Sequence, residues 1–168
     1  YTDRFTYWPL RIREGGKVLI PEVPDLEWQF IDGRDLGEFA VKLLEQGLSG
    51  DFNATGPARA RSMDENLVDL RRIVNPAAEF LRVPVSFLEE QGVQPWADLP
   101  FVLYDTSERF IANVDRAVSH GLTFRPLSDT VKDLLDWRVE KSEPVQLKTG
   151  ITREKNDQLV EAALAKGM

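Results

Sequence analysis

At 168 residues the chain is one domain or one lobe of a larger one, and 42% hydrophobic residues are enough for a packed core. A net charge of −7 with no Lys/Arg run argues against nucleic acid and anionic membranes as partners. The absence of cysteine excludes disulfides and thiolate metal sites and fits a cytoplasmic location. No apolar run approaches the roughly 20 residues of a membrane-spanning helix, and no signal peptide is recognisable. The sequence opens on Tyr1 and not on Met, so a processed, cut or partly ordered piece is expected.

In chain order, Thr2 to Glu14 predicts a helix with mixed faces, interrupted or kinked at Pro9 and ended by Gly15-Gly16. Lys17 to Ile20 predicts a strand, and Pro21 to Asp25 a proline-rich loop. The chain is organised around Gln29-Phe30-Ile31-Asp32-Gly33-Arg34-Asp35-Leu36, where an apolar run meets a charged turn and a long helix begins. Asp32 is suited to cap that helix, and Asp35 adds negative charge at its positive end. Leu36, Phe39, Ala40, Leu43 and Leu44 have the spacing of one buried helix face, Glu38 and Lys42 lie opposite, and Gly47 is placed as the C′ residue. Asp51 to Pro57 predicts a short strand running into a turn. The order strand, helix, strand favours an α/β fold.

Ser62 and Glu65 form a capping box for a helix with Leu67, Leu70, Ile73 and Val74 on its apolar stripe. Glu79 to Val83 predicts a strand, and Ser86 caps a short helix reaching Gln91. Gln94 to Pro100 is a loop carrying Trp96, and Phe101 to Tyr104 suits either a strand or a helical turn. Asp115 caps a short helix ending at Gly121, and Ser128 caps another carrying Val131, Leu134, Leu135 and Trp137. Lys141 to Gly150 is a polar linker. Thr152 opens a last helix with Leu159, Val160, Ala163 and Leu164 on its apolar side.

Chemistry is sparse. The single histidine, His120, stands beside a helix-ending glycine and reads as a surface residue. No serine lies in a Gly-x-Ser-x-Gly elbow, so neither a serine triad nor a zinc site is supported. Many carboxylates are present, but nothing in the spacing selects a catalytic pair. Gly47-Leu48-Ser49-Gly50 follows a helix and precedes a strand, the reverse of a phosphate cradle. No catalytic, cofactor-binding or metal-ligating residue is therefore assigned to this chain.

Three stretches carry a family resemblance. They are Phe30 to Leu36 with the helix after it, Gly50 to Pro57, and Asp115 to Ala117 followed by Gly121 to Leu127 with the Ser128 helix. Together they resemble the C-terminal, substrate-binding part of an extended short-chain dehydrogenase/reductase of the NAD-dependent epimerase/dehydratase-like group. The opening Thr2 to Trp8 and the late Thr149 to Glu154 are similar to a reductase-like subgroup. The resemblance covers nearly the whole chain, as a single C-terminal lobe over residues 1–168 without its N-terminal Rossmann domain. It implies a parent oxidoreductase or epimerase that binds NAD or NADP on that missing domain and catalyses with a tyrosine and a lysine four residues later. Here Tyr1 is followed at that spacing by Phe5, Tyr7 by Arg11 and Tyr104 by Glu108, so the catalytic pair is absent. Trp28 stands where sugar-nucleotide members often carry an arginine, which points away from a UDP-sugar substrate.

The expected role is to shape the pocket for a small hydroxyl- or carbonyl-bearing substrate. The alternative is a cofactor-independent ligand-binding or partner-interaction module. The candidate substrate contacts are Arg4, Tyr7, Trp8, Arg11, Gln29, Arg34 and Trp96. Arg4, Tyr7, Trp8 and Arg11 form a polar-aromatic wall on the first helix, unless Trp8 is core and the arginines lie on the surface. Gln29 projects from a strand end. Arg34 either clamps an anion or pairs with Asp35 or Glu38, and Trp96 sits on either a lid or a packing loop. A lobe without its Rossmann domain is expected to expose apolar surface, and so to form a homodimer or be poorly stable.

Overall fold

The computed structural model describes residues 2–108, 111–140 and 147–168. It is a mixed helix-and-strand structure, in line with the expected α/β class. Helix α1 (Arg4–Glu14) leads into β1 (Lys17–Glu22) and the short β2 (Glu27–Trp28), followed by α2 (Gly33–Glu45). After a long irregular stretch come β3 (Arg61–Ser62), α3 (Met63–Val74), β4 (Glu79–Pro84) and α4 (Val85–Glu90). The chain closes with α5 (Asp115–Ser119), α6 (Leu127–Glu140) and α7 (Arg153–Ala165). Among the described residues no helix is long and apolar enough to cross a membrane. Residues 141–146 of the expected polar linker lie outside the described residues.

Strands β1 and β4 pair in parallel, with Val18 opposite Phe80 and Ile20 opposite Arg82. Strands β2 and β3 form a separate antiparallel pair. Val18, Leu19 and Ile20 are fully buried, because α7 covers β1 on one side and the pair packs over the helices. Parallel strands need such cover on both faces. The main core joins these residues to Trp8, Ile12, Trp28, Leu67, Leu70, Phe87, Leu88, Leu159 and Ala163. A second, smaller core gathers Phe39, Ala117 and Leu122.

The free edge of β1 is closed by a side chain. Asn156 of α7, wholly buried, accepts from the Leu19 amide at 3.1 Å and donates to the Lys17 carbonyl at 2.9 Å. Its carboxamide thus takes the place of the next strand's peptide group.

Several local expectations hold. Asp32 caps α2 by accepting from the Arg34 amide at 2.9 Å. Ser62 and Glu65 form both bonds of the capping box. Thr152 caps α7 by accepting from the Lys155 amide. At the end of α2 the Gly47 amide donates to the Leu44 carbonyl and the Leu48 amide to that of Leu43, the Schellman pattern.

Other expectations are corrected. Helix α1 starts at Arg4 and runs unbroken through Pro9. Strand β1 continues through Pro21 and Glu22, because β4 offers it partners that far. Ser86 and Ser128 lie inside α4 and α6, and Asp115 is the first residue of α5, not its cap. Phe101 to Tyr104 is neither strand nor helix.

Two corrections bear on function. The segment Asp51 to Pro57 is not a strand. Phe52 and Ala54 turn inward against the Phe39 core while Asp51 and Asn53 face solvent, the alternation of a strand. Among the described residues, however, no backbone hydrogen bond joins residues 51–55 to another segment. Its one backbone bond to another segment among the described residues comes at its end, where the Gly56 carbonyl accepts from the Phe30 amide at 2.7 Å. Likewise, the apolar stripe of α2 is only half buried. Phe39 is covered, but Ala40 is exposed, Leu36 is 42% exposed and Leu44 80%.

Candidate functional site

The charged turn at the start of α2 is locked by neighbours distant in sequence. Asp32 accepts from Arg34 at 2.7 Å and from the Thr130 hydroxyl of α6 at 2.7 Å. Arg34 also pairs with Asp133. Asp35 is buried, and both its oxygens are taken by Arg125, through the backbone amide at 3.0 Å and Nε at 2.6 Å. Arg125 reaches Glu38 as well, at 2.9 Å. The Arg34 hydrogen bond is the leading reason that the Asp32 carboxyl is held well below the usual carboxylate range.

A depressed carboxylate contributes stability that is present above its unfolded pKa, ordinarily near 4, and lost as pH falls toward the folded value. In Asp32→Asn the cap acceptor survives and the charge does not. Denaturant unfolding should therefore place this variant on the order of 1 kcal/mol below the parent at neutral pH. The gap should narrow below about pH 4. A gap that widens on acidification would be inconsistent with this assignment.

The cleft beside this turn has a volume of about 660 Å³ and is lined by Arg4, Phe5, Phe30, Asp32, Arg34 and Trp137, among others. Phe5 and Phe30 are in ring contact at 4.7 Å. A second cleft of about 400 Å³ lies between α1 and the start of α7, lined by Tyr7, Arg11, Glu14, Gly150 and Arg153.

The seven candidate contacts part company here. Arg4 and Arg34 both line the larger cleft. Trp96 adjoins it through Arg4, whose guanidinium lies 5.3 Å from the Trp96 ring centre. Trp96 is 40% exposed, and its loop is bolted down rather than hinged. Its amide donates to Val102, and the Gly150 and Ile151 amides donate to Ala97 and Asp98. Tyr7 and Arg11 line the second cleft. Burial pushes the Tyr7 phenol up, so it stays protonated. Arg11 is itself buried, donating to the carbonyls of Gly15 at 3.1 Å and Lys17 at 2.9 Å, and it ties α1 to β1.

Trp8 is a core residue, with Nε1 donating to the Pro100 carbonyl at 2.8 Å. Gln29 exchanges two hydrogen bonds with the Ala112 backbone, at 3.0 and 2.8 Å. Arg34 pairs with Asp32 and Asp133, not with the expected Asp35 or Glu38. Trp28 is buried between Trp8 and Phe101. His120 stacks edge-on against Phe52, with Nδ1 near the Arg116 carbonyl.

Sequence reasoning missed Phe5 and Phe30 as cleft residues, and it missed the Arg125–Asp35 pair. The only available signal for the pair was the Phe124-Arg125-Pro126 stretch within the resembling region. Among the described residues no group of His, Asp and Glu could hold a metal ion. Among the described residues the larger cleft presents the Arg4 guanidinium beside the paired rings of Phe5 and Phe30. Comparison with protein families, curated proteins and solved structures gives no match to this chain.

Proposed function

We propose that this chain is the substrate-binding lobe of an NAD(P)-dependent oxidoreductase or epimerase of the extended short-chain dehydrogenase/reductase type. In this reading a Rossmann domain outside the 168 residues supplies NAD or NADP and the Tyr-x-x-x-Lys pair. This chain supplies the wall against which a small hydroxyl- or carbonyl-bearing substrate is held.

The observation that carries the reading is an unfinished α/β layer. Helix α2 packs through Phe39 on Phe52 at 5.7 Å, and residues 51–55 follow a strand's alternation with no strand beside them among the described residues. Leu36, Ala40 and Leu44 leave the adjoining face of α2 uncovered. A sheet from elsewhere would complete both at once, since parallel sheets are covered by helices and buried. The Asp32–Arg34 turn and the larger cleft then lie beside that junction, where a cofactor-bearing domain could meet the substrate.

A second reading draws on the main core. It is continuous, and β1 is closed by Asn156, so the chain could act alone as a ligand-binding or interaction module or as a homodimer through α2. The test is NADH and NADPH oxidation by the product of the whole reading frame that contains this chain, with small aldehydes and ketones. Turnover by that product, with the 168-residue chain inert, is expected. A reading frame without a Gly-rich strand–helix unit and a Tyr-x-x-x-Lys would overturn the enzymatic reading in favour of the module.

A further inference from the structure

Arg4 differs from the other charged groups of its cleft. Asp3 pairs with Arg138 at 2.7 Å, and Asp32 and Asp133 both pair with Arg34. Arg4 has no carboxylate partner among the described residues, and its Nε is buried without an acceptor. Its guanidinium is instead held over the Trp96 indole. Stacking of this kind fixes the plane of the guanidinium and leaves its terminal N–H groups to meet an acceptor.

The loop beneath is held at a conformational cost. Trp96 and Phe101 both adopt positive φ, 64° each, the left-handed region that bulky L-residues seldom occupy. They are held there by the Trp96-to-Val102 backbone bond and by edge-on contact of the two rings at 5.8 Å. Strain retained beneath an exposed tryptophan that carries an unpaired arginine calls for a function. Beside Arg4, the Phe5–Phe30 pair offers an apolar surface, and Phe101 lies 6.3 Å behind Phe30.

We propose that Arg4, stacked on Trp96, is a carboxylate-binding subsite, and that the cleft takes a small organic acid whose apolar body lies against Phe5 and Phe30. The proposal deepens the reading of this cleft as a substrate pocket and rests on it. The carboxylate meets the end-on N–H pair of Arg4, a charge-assisted bidentate contact. The Asp32–Arg34–Asp133 group, with one net negative charge, stands on the same cleft and repels the acid group, so the apolar body and not the carboxylate is directed toward it.

The test is titration of the 168-residue chain with 3-phenylpropanoate and with its uncharged isostere 3-phenylpropanamide. The readout is the Trp96 indole N–H signal, assigned by its loss in Trp96→Phe. The acid should bind roughly tenfold more tightly than the amide, a preference that one charge-assisted pair can supply. Arg4→Gln should abolish the preference with the melting temperature unchanged, and Arg4→Lys should keep part of it. Equal binding of acid and amide, no response at Trp96, or a preference that survives Arg4→Gln would each overturn the proposal. Nucleotide-dependent turnover is measured separately. A preference for the acid in a protein without turnover keeps the subsite and removes the parent-enzyme reading, and turnover without the preference does the reverse.

Discussion

Replacing Asn156 with alanine is expected to destabilise the fold by about 3 kcal/mol, a large effect for a residue outside both clefts described above. The carboxamide is wholly buried and bonds two backbone groups of β1. The two bonds are not equal. The Lys17 carbonyl also accepts from Arg11 at 2.9 Å and keeps that partner in the variant. The Leu19 amide has no other acceptor on that side and becomes a buried, unpaired donor. An orphaned donor costs about 1–3 kcal/mol, and the lost bond about 1 more. Asn156→Asp tests the account differently, because Oδ1 is kept and the donor to Lys17 is lost, with a charge buried in exchange. Both variants should unfold at lower denaturant than the parent, and alanine at this site should leave the slope of the transition unchanged. A loss below about 0.5 kcal/mol, the range of ordinary surface substitutions, would mean that Asn156 does not close the sheet edge.

A comparable loss is expected for Gly150→Ala. Gly150 has φ +97°, where only glycine is comfortable. Its amide is fixed by a 2.8 Å bond to the Ala97 carbonyl, so the backbone cannot rotate away without breaking it. A methyl group there would lie 2.6 Å from Cε2 of Tyr7 and closer still to Cδ2. Tyr7 cannot yield easily, since its ring is buried and stands edge-on against Trp8. Overpacking costs about 1–3 kcal/mol and the left-handed conformation about 1–2 more. Thermal unfolding should therefore report a destabilisation on the order of 3 kcal/mol. A neutral alanine would show that the 149–151 turn can lift from Tyr7, and the second cleft would then be a property of one position of that turn.

What was legible in the sequence was local. Ser62 with Glu65, Asp32 with the amide of Arg34, and Thr152 with that of Lys155 involve partners within three residues, so residue type and spacing suffice. Gly47 was legible for the same reason. The long-range pairs that hold the sheet edge and the site were not. Asn156 meets Leu19 across 137 positions and Arg125 meets Asp35 across 90, and no local pattern announces such pairs. The segment 51–57 shows a third case. A strand is expected there from residue type, but a strand is defined by a neighbour, and among the described residues only its Gly56 has a backbone bond to another segment, from the Phe30 amide at 2.7 Å. The stripe of α2 is the helical counterpart, for periodicity says which face is apolar and not whether anything covers it. The candidate contacts divide on the same line. Arg4 and Arg34 line one cleft and Trp96 touches it through Arg4, while Trp8, Arg11 and Gln29 are engaged by carbonyls that the sequence could not place.

If the proposed parent exists, a domain outside the 168 residues covers the α2 face and the 51–55 segment. Amide hydrogen exchange measures this directly, by comparing the 168-residue chain with the product of the whole reading frame. The account predicts fast exchange at residues 51–55 in the lobe alone and strong protection in the larger protein, with β1 and β4 protected in both. Equal exchange at 51–55 in the two proteins would contradict it, and the open edge would then belong to a free-standing module.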